Sequence, residues 1–143
     1  MAVNQRRQPK QARSKATCEA ILTATTQVLV ERGYAGLTTN RVAEVAGASI
    51  GTLYQYFSDK DELVSAVIDR HAEQLITLLG DTLFTLGNAP IPVAVRTFVR
   101  AMVDAHAMDP ELHRVCLEQA FHLGLDHILS MRDTAITMVA QYL

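Results

Sequence analysis

The chain has 143 residues, 49% of them apolar, with 13 Lys and Arg against 15 Asp and Glu, two Cys and no Trp. That is enough apolar material for one domain or two small halves with a real core, and it excludes disorder and collagen-like repeats. Cys18 and Cys116 are too far apart in sequence to suggest a disulfide framework, no secretory apolar stretch follows the basic start, and charges such as Asp81, Arg96, Arg100 and Asp104 cut every run short of the roughly 20 residues of a membrane span. The expectation is a cytoplasmic protein with reduced thiols and no membrane partner.

The charges divide unevenly. Residues 1–60 carry eight basic side chains against four acidic, and the remainder five against eleven, which places any polyanionic partner on the N-terminal third. Residues 1–13, with Arg6, Arg7, Lys10 and Arg13, read as a basic arm. From Ser14 to Arg32 the residues Cys18, Ile21, Leu22, Val28 and Leu29 recur at three- and four-residue spacing and predict a helix with one apolar face. Gly33 is expected to close it in a left-handed conformation, with Tyr34 as an apolar anchor for the loop through Gly36.

Thr38 is the predicted N-cap of a helix of about two turns, whose Val42, Ala43 and Ala46 form a short apolar stripe before Gly47. Ser49 caps a third helix, Ile50 to Phe57, with Leu53 and Phe57 one turn apart on its inner side. Ser58, with Asp61 in the reciprocal position of a capping box, is expected to start a long helix from about Asp59 to at least Leu79, burying Leu63, Val64, Val67, Ile68, Leu75 and Leu79. The stretch Gly87 to Pro92 ends that segment, and Pro92 suits the first turn of the next helix, which Val95, Phe98, Val99, Met102 and Val103 carry to Met108-Asp109-Pro110. Glu111 to Phe121 and Leu125 to Leu143 read as two more helices. No strand pattern occurs, so the fold class is all-α: an N-terminal three-helix domain over 14–74 joined by a long helix to a helical region over 75–143.

Two short helices joined at a glycine form a helix-turn-helix. Ala43 and Ala46 permit close approach, Gly47 makes the reversal, and Leu53 closes the small core. Ile50, Gly51, Thr52, Gln55 and Tyr56 are expected to face outward as a small, polar surface fit for a major groove about 12 Å wide. The run Thr39 to Leu63, with Ala46-Gly47, Ser49, Gly51, Leu53-Tyr54, Tyr56-Phe57, Lys60 and Leu63 in register, resembles the signature of TetR-type transcriptional regulators. The likeness extends from about Ser14 to about Gln74.

The resemblance implies that Thr38 and Thr39 bind backbone phosphate, that Asn40 and Arg41 lie near the groove, and that Ser49, Ile50, Gly51, Thr52, Gln55 and Tyr56 contact bases and phosphates. Tyr54 and Lys60 match the phosphate clamp, Lys60 acting together with the positive end of its helix. From the residues alone Tyr54 reads equally well as a core aromatic. Arg13 and Lys15 are the expected contributors from the start of the first helix. In this division of labour phosphate contacts set affinity and its salt dependence, while Asn40, Thr52 and Gln55 influence sequence preference.

For the C-terminal region the resemblance implies a small-molecule pocket whose occupation moves the long helix. Phe98, Met102, His106, Phe121, Leu125 and Met131 are the candidate lining, with an ordinary core role as the alternative. His113 and Cys116 share a helical spacing, but without a zinc-binding or nucleophile pattern they predict neither a metal site nor an enzyme, and no cofactor is expected. Such regulators usually have about nine helices and pair through the last two, whereas about seven are legible here. The expectation is therefore a homodimeric, DNA-binding repressor that is released from double-stranded DNA by a small apolar or amphipathic ligand, short at its C-terminus, with Leu125 to Leu143 as the pairing helix. The alternative is a truncated interaction module that has lost operator binding.

Overall fold

The structure is a computed structural model that describes residues 7–123 and 126–142, with side chains described for 11–123, 129, 130 and 132–142. Among these residues the elements are seven helices: α1 (Arg7–Gly36), α2 (Thr39–Ala46), α3 (Ile50–Tyr56), α4 (Lys60–Leu86), α5 (Ile91–Met108), α6 (Pro110–Leu123) and α7 (Asp126–Tyr142). The all-α class expected from periodicity is the one observed. The chain divides into two compact units, Met1–Val67 and Ile68–Leu143.

In the first unit α1 packs on α2 and α2 on α3. Ile21, Val28, Leu29, Leu37, Val42, Leu53, Leu63, Val64 and Val67 are essentially without exposed surface, and each such side chain contributes about 1.5–3 kcal/mol by leaving water. Thr25 is the one polar residue described as buried among them, and its Oγ1 donates to the Ile21 carbonyl at 2.7 Å, which satisfies the hydroxyl. The first helix departs from the expected bounds at both ends. It begins at Arg7 instead of Ser14, a stretch of Arg, Gln, Lys and Ala that favours helix, with Pro9 confined to the first turn where its missing N–H is harmless. At the other end Gly33 interrupts the helix at φ 68°, ψ 178°, an extended conformation of positive φ and not the left-handed closure expected, after which the backbone resumes a turn to Gly36.

The start of α4 also differs by one residue from the predicted cap. Asp59, not Ser58, holds the helix start, its Oδ1 accepting from the Glu62 N–H at 2.8 Å. Glu62 reaches back to accept from both the N–H and the hydroxyl of Ser58 at 2.6 Å. Asp59 wins because its carboxylate is a charged acceptor at the positive end of a long helix. Asp61, the residue expected to complete the box, is instead bonded by the Tyr34 hydroxyl.

The second unit is more thinly packed. Ile68, Ala72, Leu75, Ala94, Ala105, Val115, Cys116 and Ala120 are buried, and α5 packs on α6. Gly80 lies inside α4. A Cβ there would stand 2.8 Å from the Met138 side chain, so the glycine makes room for α7. Leu79, expected in the core, is only half-buried. The apolar row of α5 is largely uncovered, with Ile91, Val95, Val99 and Val103 all 46–63% exposed.

Candidate nucleic-acid interface

The local chemistry of α2, the turn and α3 fixes this surface. Thr38 takes an extended conformation and its Oγ1 accepts from the Arg41 N–H at 3.2 Å, satisfying one orphan donor of α2. Gly47 ends α2 at φ 68°, ψ 26°, and its N–H bonds to the Ala43 and Glu44 carbonyls. Ser49 then caps α3, its Oγ accepting from the Thr52 N–H at 3.1 Å. Leu53, fully buried, pins α3 by its inner side. With Leu53 and Phe57 turned inward, the opposite side of α3 faces solvent.

That outer side holds Ile50, Gly51, Tyr54 and Gln55 as exposed residues, with Ser49 exposed at its start and Thr52 half-buried. Tyr54, left open between core and surface by its sequence, is 51% exposed, and its hydroxyl lies 3.1 Å from Thr39 Oγ1. This contact joins the first turn of α2 to the middle of α3 and gathers two hydroxyls at one edge. Tyr56, expected fully outside, is half-buried, and its hydroxyl shares a hydrogen bond with Ser14 of α1 at 3.0 Å. Its phenol thus braces α3 against α1. Asn40 is exposed beside Thr39, while Arg13 is exposed on α1.

The two central cations are both held. Arg41 pairs with Glu44 at 2.8 Å on the surface of α2, and its Nε is buried with no hydrogen-bond partner in the described structure. Lys60 Nζ stands 4.0 Å from the centroid of the Tyr34 ring, a cation–π contact that fixes the ammonium at the start of α4. The expectation that the positive end of α4 is free to share a phosphate with Lys60 is corrected here, because Asp59 already occupies it and Asp61 and Glu62 fill the first turn. The hydrogen bond to Asp61 holds the Tyr34 hydroxyl above its ordinary pKa. Hydrogen bonds from Ser58 keep the exposed Glu62 below the usual carboxylate range. Both groups are therefore fixed in charge near neutrality.

The supporting residues Ser14 and Tyr34 escape a reading of the sequence. Tyr34 carries the signal of an apolar anchor, and Ser14 that of an unremarkable helix start. Their partners lie far along the chain, where spacing says nothing.

The candidates in the second unit are scattered. Phe98 lines an apolar hollow of about 140 Å³ with Leu83, Ala94, Val99, Val139 and Tyr142. Met102 is 38% and Phe121 67% exposed, both outside that lining. His106 contacts its own helix and His113 instead. Leu125 lies outside the described residues, as does the side chain of Met131. The His113–Cys116 pair does not form a reactive couple. Cys116 is buried, and desolvation, helped by the charge of Asp109, pushes its thiol up to about 11, so it stays protonated and a poor nucleophile.

Residues 21–67 match the sequence profile of a family described as bacterial regulatory proteins, tetR family. The chain is 33% identical over 101 residues to the HTH-type transcriptional activator FasR of Mycolicibacterium smegmatis, covering 71% of this chain and 45% of that protein. It is 38% identical over 102 residues to the DNA-binding transcriptional repressor TetR of Mycobacteroides abscessus, covering 71% of this chain and 51% of the relative. The chain thus spans about half the length of these relatives. Among solved structures, a TetR family transcription regulator from Marinobacter aquaeolei superposes with a TM-score of 0.76 at 22% identity, over 91% of this chain and 68% of that one. The fatty acid degradation regulator FadR from Bacillus halodurans gives 0.69 at 20% identity, over 87% and 65%. At these identities the likeness concerns the fold.

Proposed function

The chain belongs by its N-terminal helix-turn-helix to the TetR family, and from this premise we propose that it is a cytoplasmic, DNA-binding transcriptional regulator that acts as a homodimeric repressor. The observation that carries the reading is the outer side of α3. Ile50, Gly51, Tyr54 and Gln55 stand exposed there on a helix pinned from beneath by Leu53 and Phe57. A groove-entering helix needs that division, with a rigid inner face and small or polar groups outside. Thr38, Thr39, Tyr54 and Lys60 serve phosphates, and Arg13 and Arg41 add charge at the edges. Asn40, Thr52 and Gln55 bias the sequence preferred. Arg41 exchanges Glu44 for phosphate on binding.

Release by a small molecule belongs to the same proposal. The hollow lined by Phe98 and Tyr142 is apolar, and the Tyr142 hydroxyl is buried without a hydrogen-bond partner in the described structure. The apolar lining favours a small apolar or amphipathic effector. In the fold, no helix among the described residues is long and apolar enough to cross a membrane. The exposed Leu129 and Ile136 of α7 support self-association through that helix.

The deciding experiment is binding to duplex DNA across a salt series. For a regulator that neutralises phosphates the logarithm of affinity falls linearly with the logarithm of salt concentration, and a chain that fails to bind duplex DNA even at low salt overturns the proposal. Mass measurement of the complex on a selected site counts the copies bound, and a promoter-reporter assay gives the sign of regulation.

A further inference from the structure

The described part of the second unit gathers imidazoles from three helices around His113. His71 lies on α4, His106 near the end of α5, and His113 in the second turn of α6. His71 Nε2 and His113 Nδ1 are 3.3 Å apart, at hydrogen-bond distance, and the ring of His106 meets that of His113 edge to face with centroids 4.3 Å apart. All three side chains are half-buried. Among the described residues no group of His, Cys, Asp or Glu is arranged to hold a metal ion.

The protonation states follow from the contacts. His106 Nδ1 lies 2.6 Å from the Met102 carbonyl, which only accepts, so that nitrogen carries a proton and donates. Between His71 and His113 one ring nitrogen must donate and the other accept, so at least one of the two rings is neutral while the bond lasts. If both become imidazolium, each nitrogen bears a proton, the hydrogen bond is lost, and two like charges face each other at the same separation. A charge on His106, in ring contact with His113, adds to that repulsion.

We propose that His71 and His113, with His106 packed edge to face on His113, form a proton-sensitive clasp that ties α4 to α5 and α6 while the His71–His113 hydrogen bond stands and parts when both of those rings are charged. On α4, Asp69 and Arg70 immediately precede His71. At the junction of α5 and α6, Asp109 favours protonation of His71, yet its carboxylate is also engaged by the Leu112 N–H at 3.1 Å as the cap of α6. On α6, Arg114 is taken up by Glu111 and Glu118 at 3.0 and 2.7 Å, and Cys116 stays neutral. Burial is the largest influence on His71 and His113 and holds both below the ordinary imidazole pKa; for His71 it outweighs the opposing pull of Asp109.

A histidine depressed in the folded state binds protons more readily when unfolded, so its contribution to stability is complete above the ordinary value of about 6.5 and is lost as pH falls towards the folded value. Each proton taken up on unfolding lowers the folding constant by on the order of tenfold per pH unit in that window.

The experiment uses the full chain. Ring resonances of the histidines are followed by NMR from pH 8 to 5, alongside urea unfolding across the same range. His71 and His113 should titrate below about 6.5, and the folding constant should fall as the pH is lowered through that region. In H71Q and H113Q, which keep a neutral hydrogen-bonding side chain, the pH slope should shrink by about one proton each. Ordinary or raised titration of both rings, or an undiminished slope in both variants, overturns the clasp. Should either variant fail to fold, the titration of the parent decides alone.

Discussion

Gly33 and Gly47 share one torsion and differ in the other, which makes them a controlled pair. Both have φ 68°, but ψ is 178° at Gly33 and 26° at Gly47. A Cβ added at either position meets nothing within 4 Å, so substitution reports on the backbone alone. Gly47 is in the left-handed region, where an L-residue pays about 1–2 kcal/mol, and about 0.4–1 kcal/mol returns because the unfolded chain becomes less free. G47A should therefore cost about 1 kcal/mol net, about fivefold in the opening equilibrium. G47N should cost less, since asparagine tolerates that region. Gly33 occupies a region open essentially to glycine alone, with strain of about 1–3 kcal/mol for other residues, so G33A should be the more damaging and G33N no milder. Native-state hydrogen exchange at the amides of Val42 and Leu53 reads these differences within the first unit. Equal effects of G33A and G47A, or a G47N variant as unstable as G47A, would refute the assignment of backbone cost to these torsions.

Other expectations concern the surface and the hollow. Y54A should weaken binding to all duplex sequences by removing the phenol that stands against Thr39, whereas Q55A should alter the ranking of sequences more than the non-specific affinity; competition binding with two duplexes separates the effects. S49A should destabilise the first unit by about 1 kcal/mol through loss of the α3 cap, measured by urea unfolding, even though Ser49 is exposed. Acidification should release the Ser58 contacts of Glu62: the carboxylate is depressed in the folded state, so its contribution is present above the ordinary value of 4.5 and lost as pH falls through the lower folded value, a dependence that E62Q should remove. F98A should enlarge the hollow and weaken a small apolar effector, detected as a smaller ligand-induced rise in melting temperature.

Where neighbours in sequence decide the structure, the chain is legible from residue types. Thr38 and Ser49 each cap the helix that follows, and Gly47 reverses the chain, because those outcomes depend on one side chain or one torsion. Periodicity likewise names Ile21, Val28, Leu29, Leu63 and Val64 as inward-facing residues. The start of α4 slips by one residue because Ser58 and Asp59 are both competent caps and only the folded backbone chooses between them. Tyr54 and Tyr56 show the limit on α3: they are two residues apart, yet one meets Thr39 and the other Ser14, and spacing within a helix cannot reveal what stands opposite. Periodicity on α5 similarly collects Val95, Val99 and Val103 on a stripe without telling that it is uncovered. The proposed effector residues suffer most from this, since a ligand lining and a packed core have the same composition.

Tyr34 connects features that are remote along the chain. It follows the break at Gly33, its hydroxyl engages Asp61, and its ring supports the Lys60 ammonium. The direction in which the backbone leaves one helix therefore decides where a positive charge is displayed at the beginning of another. A cation seated on an aromatic plane has already surrendered much of its conformational freedom, so a docking phosphate has less of that side chain left to immobilise.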